Sequence, residues 1–222
     1  MSDKFVLKEN QQNQPQNNQL QFVSREHMLF ATPLWQTQIK GVDNQSIKDY
    51  CYFLRENTKG VVISNRGGWH SGEILQPIPI ALKNLFEQTT AYTNEYCAQI
   101  TGINDLVLGN FWININGKYT YNRRHDHQNS ILSGVYYVDA EGDNIGNLII
   151  ERDDNMEFFA NTKYKGKTPL TQLTFLIKPL TGFLIMFPSW IHHSVEMNME
   201  NRDRISIAFN LVDPGLNLQK YG

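Results

Sequence analysis

Three histidines, an arginine and a serine are the residues here whose types and spacing could do chemistry. The stretch NRRHDHQNS, residues 122–130, places His125 and His127 two apart around Asp126. In an extended chain, residues i and i+2 share a face, so both imidazoles would point one way and Asp126 the other. Two imidazoles on one face can ligate a metal, and a third ligand is available far along the chain in PSWIHHSVE, at His193 or its neighbour His192. Read alone, HxH is a weak signal, more often a pair of surface or core histidines than a metal site. Arg204 follows His193 eleven residues on, with Ser206 two residues later. A guanidinium on the inward face of a strand needs an anionic partner, and its fork suits a carboxylate. Ser206 can add a hydroxyl hydrogen bond to the same oxygens.

The elements that must position these groups follow from periodicity. SIKDYCYFLRENTKG has helical spacing through Ile47, Tyr50, Cys51 and Leu54, with Gly60 as a stop. IPIALKNLFEQTTAYTNEYCAQITG predicts one long second helix, with Ile80, Leu82, Leu85, Phe86 and Tyr92 as its core stripe. MLFATPLWQTQI is an opening strand broken by Pro33, and SNRGGWHSGEIL is loop. From about residue 106 the period becomes two, through NFWININ, SILSGVYYV, NLIIE, TFLIKP, GFLIMFP and RISIAFNLV. Two helices followed by a run of strands predict an α+β, mainly β, antiparallel fold, a sandwich or jelly roll with an N-terminal helical layer.

Two strands have one apolar and one polar side. In NFWININ the polar side is Asn110, Trp112, Asn114 and Asn116; in RISIAFNLV it is Arg204, Ser206, Ala208 and Asn210. Either these sides face water, or the apolar sides pack under the helices and the polar sides line a ligand-holding barrel mouth. Trp112 and Asn114 would then shape the substrate side, or serve as plain packing.

Bulk properties exclude several classes. A net charge of −2 gives no one-signed field for nucleic acid or an anionic membrane. No apolar run approaches the ~20 residues that span a bilayer, and the first residues lack the apolar core of a secretion signal. Cys51 and Cys97 make no disulfide framework, which suits a soluble, cytoplasmic, reducing setting. Residues 1–24, Gln/Asn-rich over ENQQNQPQNNQLQ, read as a flexible tail, and residues 25–222 as a single domain. The long, turn-rich segment from Glu151 to Thr174 reads as a lid. The oligomeric state stays open, a homodimer included.

Taken together, HDHQNSILSGVYYV, GFLIMFPSWIHHSVEMN and RISIAFN, with weaker support from LFATPLW and SNRGGW, resemble the Fe(II)/2-oxoglutarate-dependent oxygenases. The likeness is to uncharacterised bacterial and phage members near the prolyl-hydroxylase branch. The resemblance implies a double-stranded β-helix, with Fe(II), 2-oxoglutarate and O2 as cofactor and cosubstrates. It implies His125, His127 and His193 as metal ligands, Arg204 and Ser206 on the far carboxylate of 2-oxoglutarate, and Tyr136 or Tyr137 touching the cosubstrate. The sequence departs from the family at the second ligand. The usual triad has two histidines and a carboxylate, and His127 stands where Asp or Glu is expected. Three imidazoles bind the metal, or Asp126 replaces His127, or the site is degenerate. The substrate is a small molecule or a peptidyl residue such as proline. A cupin-type metal site and a non-catalytic module are the competing classes.

Overall fold

The computed structural model describes residues 31–74, 77–152, 168 and 171–215. The expected tail, most of the expected lid and the first part of the opening strand lie outside these residues.

The chain runs β1 (Trp35–Gln38), α1 (Asn44–Asn57), β2 (Asn65–Arg66), β3 (Trp69–His70), α2 (Ile80–Tyr92), a π-helical turn (Thr93–Cys97) and α3 (Ala98–Thr101). Eight strands follow: β4 (Val107–Asn116), β5 (Tyr121–His125), β6 (Leu132–Asp139), β7 (Leu148–Glu151), β8 (Thr174–Ile177), β9 (Phe183–Pro188), β10 (His193–Val195) and β11 (Arg204–Val212). They form a six-stranded sheet, β1-β9-β6-β11-β4-β3, and a five-stranded sheet, β2-β5-β10-β7-β8. Every pairing is antiparallel. The fold is the double-stranded β-helix with helices on one side. No helix among the described residues is long and apolar enough to cross a membrane.

Local chemistry explains the helices. Asp43 caps α1 by accepting from the Ser46 N–H at 3.1 Å, and Ile47 and Cys51, four apart, bury its inner stripe. The second helix is interrupted where one long helix was expected. Thr89, Thr93 and Cys97 are all buried, and the π turn keeps these residues on the packed face past the point where a regular helix would rotate them away. The helix ends at Gly102, in the left-handed conformation at φ +70°. Ile80, expected in the core stripe, is 71% exposed because it occupies the first position of α2.

The helices cover one face of the larger sheet. Leu82, Leu85 and Phe86 share a core with Phe111, Ile113 and Ile115 of β4 and with Ile205, Ile207 and Phe209 of β11. The Phe86 ring lies 4.7 Å from Phe111 and 6.0 Å from Phe209. The apolar sides of β4 and β11 therefore pack under the helices, and their polar sides face into the space between the sheets. SNRGGWHSGEIL is more than loop: its short β2 and β3 pair with β5 and β4.

Candidate active site

Strand β5 delivers the first histidine through an irregularity. His125 pairs with His193 of β10, yet Asn122, three residues back, pairs with Val195, only two residues on. The extra residue is a β-bulge, which changes the direction of side chains beyond it. Arg123 and Arg124 both face solvent, whereas Asn122 and His125 both line the inner cavity. His127 lies just past the strand. Its backbone N–H donates to the Ser189 carbonyl at 3.0 Å, which ties that loop to the end of β9.

The three imidazoles meet. Ring centroids are 4.3 Å apart for His125 and His193, 5.1 Å for His125 and His127, and 5.0 Å for His127 and His193. One ligand atom from each lies within 4.8 Å of the other two. The Nδ1 atoms of His125 and His193 contact the carbonyls of Arg123 (2.7 Å) and Ile191 (3.0 Å). A carbonyl only accepts, so each Nδ1 carries the proton and Nε2 presents its lone pair. Burial, helped by the neighbouring imidazoles, lowers His193 to about 3 and His127 to about 4; burial also lowers His125. All three are therefore neutral at pH 7, the protonation state a metal requires.

Asp126 turns away from the trio: its Oδ2 lies 3.6 Å from His192 Nε2. Neither residue belongs to the three-histidine group.

Arg204 opens β11 opposite Asn116 and is 2% exposed. Its Nη1 donates to the carbonyls of Ile145 (2.7 Å), Gly146 (2.9 Å) and, longer, Glu196 (3.4 Å). Gly146 is needed at this close approach. At φ +87° a Cβ would sit 2.6 Å from Arg204 Nη1 and 2.5 Å from the Glu196 carbonyl. Arg204 Nη2 is buried with no hydrogen-bond partner. A buried, unsatisfied donor on a charged group is costly, so this nitrogen marks a place for an acceptor.

Arg204 and the histidines line one cavity. Ser206 and Tyr137, which pair across β11 and β6, also line it. The Tyr137 hydroxyl is pushed up to about 12, chiefly by burial, so it stays protonated and can donate. Tyr136 does not join them. It belongs to the core under the helices, and its hydroxyl donates to Asn44 Oδ1 at 2.8 Å. Adjacent strand residues point to opposite faces, so only one of the two tyrosines can look inward.

Trp112 and Asn114 line the cavity too. The Trp112 ring lies 5.2 Å from His127 and stacks on His70 at 5.8 Å. Asn114 Oδ1 is buried without a partner. Phe187, 4.7 Å from the His193 ring, supplies an apolar wall. Sequence reading missed Phe187, Asn122 and the carbonyl cradle of Ile145, Gly146 and Glu196. Phe187 had a signal in the period-two pattern of GFLIMFP. Asn122 had none, because the bulge breaks the alternation.

The family model described as "Putative 2OG-Fe(II) oxygenase" matches residues 110–210, a span containing all three histidines, Arg204 and Ser206. No curated protein sequence matches the chain. Solved structures share its fold. A prolyl-4-hydroxylase of Pseudomonas putida superposes with a TM-score of 0.61 at 15% identity, covering 84% of this chain and 96% of that one. A 2-oxoglutarate-dependent epimerase of nogalamycin biosynthesis also gives 0.61, at 11% identity over 81% and 76%. A Trichoplax adhaerens prolyl hydroxylase, solved with a hypoxia-inducible-factor peptide, gives 0.52 at 12% identity over 80% and 84%.

Proposed function

We propose that this chain, whose residues 110–210 match the 2OG-Fe(II) oxygenase family model, is an Fe(II)- and 2-oxoglutarate-dependent hydroxylase with an all-histidine iron site. The observation that carries the reading is the pairing of two incomplete features in one cavity. Three neutral imidazoles bring one ligand atom each to a common point, and a buried guanidinium nitrogen has no acceptor on the protein. A metal ion answers the first and a carboxylate answers the second. 2-Oxoglutarate carries a chelating keto acid at one end and a carboxylate at the other.

In this reading His125, His127 and His193 hold Fe(II) through one nitrogen each. Arg204 Nη2 holds the far carboxylate of 2-oxoglutarate, while its Nη1 anchors the guanidinium to the carbonyl cradle. Ser206 and Tyr137 donate hydroxyls toward the same anion. Held there, iron would supply the chemistry that divides O2 between a substrate C–H bond, which becomes C–OH, and 2-oxoglutarate, which becomes succinate and carbon dioxide. Phe187, Val135 and Leu148 give the cavity apolar walls that limit water. Trp112 and Asn114 face the substrate, and Asn114 Oδ1 offers an acceptor to a substrate N–H or O–H. An acceptor of this kind fits the amide N–H of a residue flanking the target, since a prolyl nitrogen has no hydrogen to donate, and a peptidyl residue such as proline is the preferred substrate. Small metabolites with a hydroxyl are the other class the same atom would serve.

The test is succinate formation from 2-oxoglutarate with Fe(II) and ascorbate. Wild type should turn over, and Arg204→Ala should lose turnover at ordinary 2-oxoglutarate concentrations. Absence of both turnover and Fe(II)-dependent 2-oxoglutarate binding in wild type overturns the reading. A cupin-type site would instead leave turnover of its own substrate indifferent to Arg204→Ala.

A further inference from the structure

The charges around the cavity do not balance. Among the described residues that line it, none is acidic, and one, Arg204, is a permanent cation. Acids act on the site only from outside its lining: the Glu196 charge reaches Arg204 and the Asp126 charge reaches His125, but neither carboxylate lines the cavity. Asp126 Oδ2 faces His192 at 3.6 Å. Glu151 holds Arg124 at 2.8 Å and Ser194 at 2.7 Å. Glu196 accepts from the Asn147 backbone and side chain at 3.0 and 2.8 Å. Among the described residues the guanidinium is met by carbonyl dipoles and by no carboxylate within ion-pair distance, the Glu196 charge acting on it from further off. A divalent ion on three neutral imidazoles would add two positive charges to a space that already holds one. In a site with two histidines and a carboxylate, the protein itself offsets one of them. Like charges in a partly dehydrated space repel far more strongly than in water.

We infer that this cavity binds its metal and a dianion only as a mutually dependent pair, the anion supplying the negative charge that the His127 position withholds. The inference rests on the function proposed above and adds a control to it: neither iron alone nor 2-oxoglutarate alone loads the site firmly. Reciprocity is required thermodynamically, so each tightens the other by one common factor. The device lies in the ligand set rather than in a moving part. An ion arriving without cosubstrate stays loosely held, and a pocket without an ion holds its anion by Arg204, Ser206 and Tyr137 alone.

The experiment uses Mn(II) with the full-length protein, following free ion by its electron paramagnetic signal with and without 2-oxoglutarate. Calorimetry then gives 2-oxoglutarate affinity with and without Mn(II). In wild type, 2-oxoglutarate should tighten Mn(II) at least about tenfold, and Mn(II) should tighten 2-oxoglutarate equally. His127→Asp should bind Mn(II) alone more tightly than wild type does, and its coupling factor should be smaller. This comparison separates the missing charge from direct chelation, which both proteins share. Mn(II) affinity that 2-oxoglutarate changes less than twofold in wild type overturns the inference while leaving the oxygenase reading intact. An equal coupling factor in the two proteins does the same. If neither Mn(II) nor 2-oxoglutarate binds wild type under any combination, the oxygenase reading falls and takes the inference with it. Circular dichroism checks the fold of His127→Asp; if that variant does not fold, His127→Glu takes its place in the comparison.

Discussion

The two ends of the cavity are built in opposite ways. The anion end is fixed by its anchoring: Arg204 begins β11, pairs with Asn116 and is gripped by two or three carbonyls, even though the register of β11 against β6 slips once between Ile205 and Ser206. The metal end stands on irregular backbone: His125 follows a bulge and His127 lies beyond the strand, tied by one backbone hydrogen bond to Ser189. One end holds a permanent charge whose direction is over-determined. The other holds neutral rings whose convergence depends on a register shift between distant strands. The difference teaches where each kind of damage should register. Changes at the anion end should disturb stability and cosubstrate affinity together, because Arg204 serves both. Changes at the metal end should disturb metal affinity and leave the fold nearly untouched.

The sharpest break would come from His193→Ala. Loss of one of three ligands should weaken Mn(II) binding by more than the roughly 100-fold that losing an outer partner costs, with a near-normal circular dichroism spectrum. A large loss of melting temperature would erase the contrast between the ends. Arg204→Ala comes next. Removing a charged hydrogen bond of about 1.5–3 kcal/mol should weaken 2-oxoglutarate about 10- to 100-fold. The same change strands the carbonyls of Ile145 and Gly146, so it should lower stability more than His193→Ala, which strands only the Ile191 carbonyl. Gly146→Ala probes the cradle without touching the ligand. A Cβ 2.6 Å from Arg204 Nη1 at positive φ should cost about 1–3 kcal/mol by chemical denaturation and shift 2-oxoglutarate affinity more than Mn(II) affinity.

A pH titration separates the ends by another route. Burial lowers His125, His127 and His193 below the usual histidine value, and His70 to about 4. Their neutral forms are favoured in the folded protein, so the unfolded chain binds more protons as pH falls below 6.5. Metal-free protein should therefore keep full stability above that value and lose it progressively toward pH 4. Mn(II) with 2-oxoglutarate should flatten the slope, measured as melting temperature against pH. The smallest effect belongs to Asp126→Ala, expected to change Mn(II) affinity less than threefold because its carboxylate faces His192. A larger loss than that of His127→Ala would make Asp126 the ligand.

Much of the anion end was legible in the sequence. Strict alternation in RISIAFNLV and NFWININ assigned faces before any pairing was known, so Arg204, Ser206, Trp112 and Asn114 were correctly put on one side of their strands. The second helix was legible in place and extent, but not in its π turn, which answers to packing of Thr93 and Cys97. Between the tyrosines the sequence left Tyr136 and Tyr137 both open; the register of β6 against β11 places Tyr137 inward beside Ser206 and Tyr136 under the helices.

The sequence by itself determined residue types, the two-residue period and therefore each strand's faces, because side-chain alternation is a local property of extended backbone. It also determined the absence of a carboxylate at position 127. Only the tertiary structure decided that His125, His127 and His193 meet, that Asp126 turns to His192, and that Arg204 keeps one nitrogen unpaired. Those outcomes depend on a bulge and on pairings between strands distant along the chain. No local pattern encodes them, since they are settled by which register buries both sheets' inner faces at once.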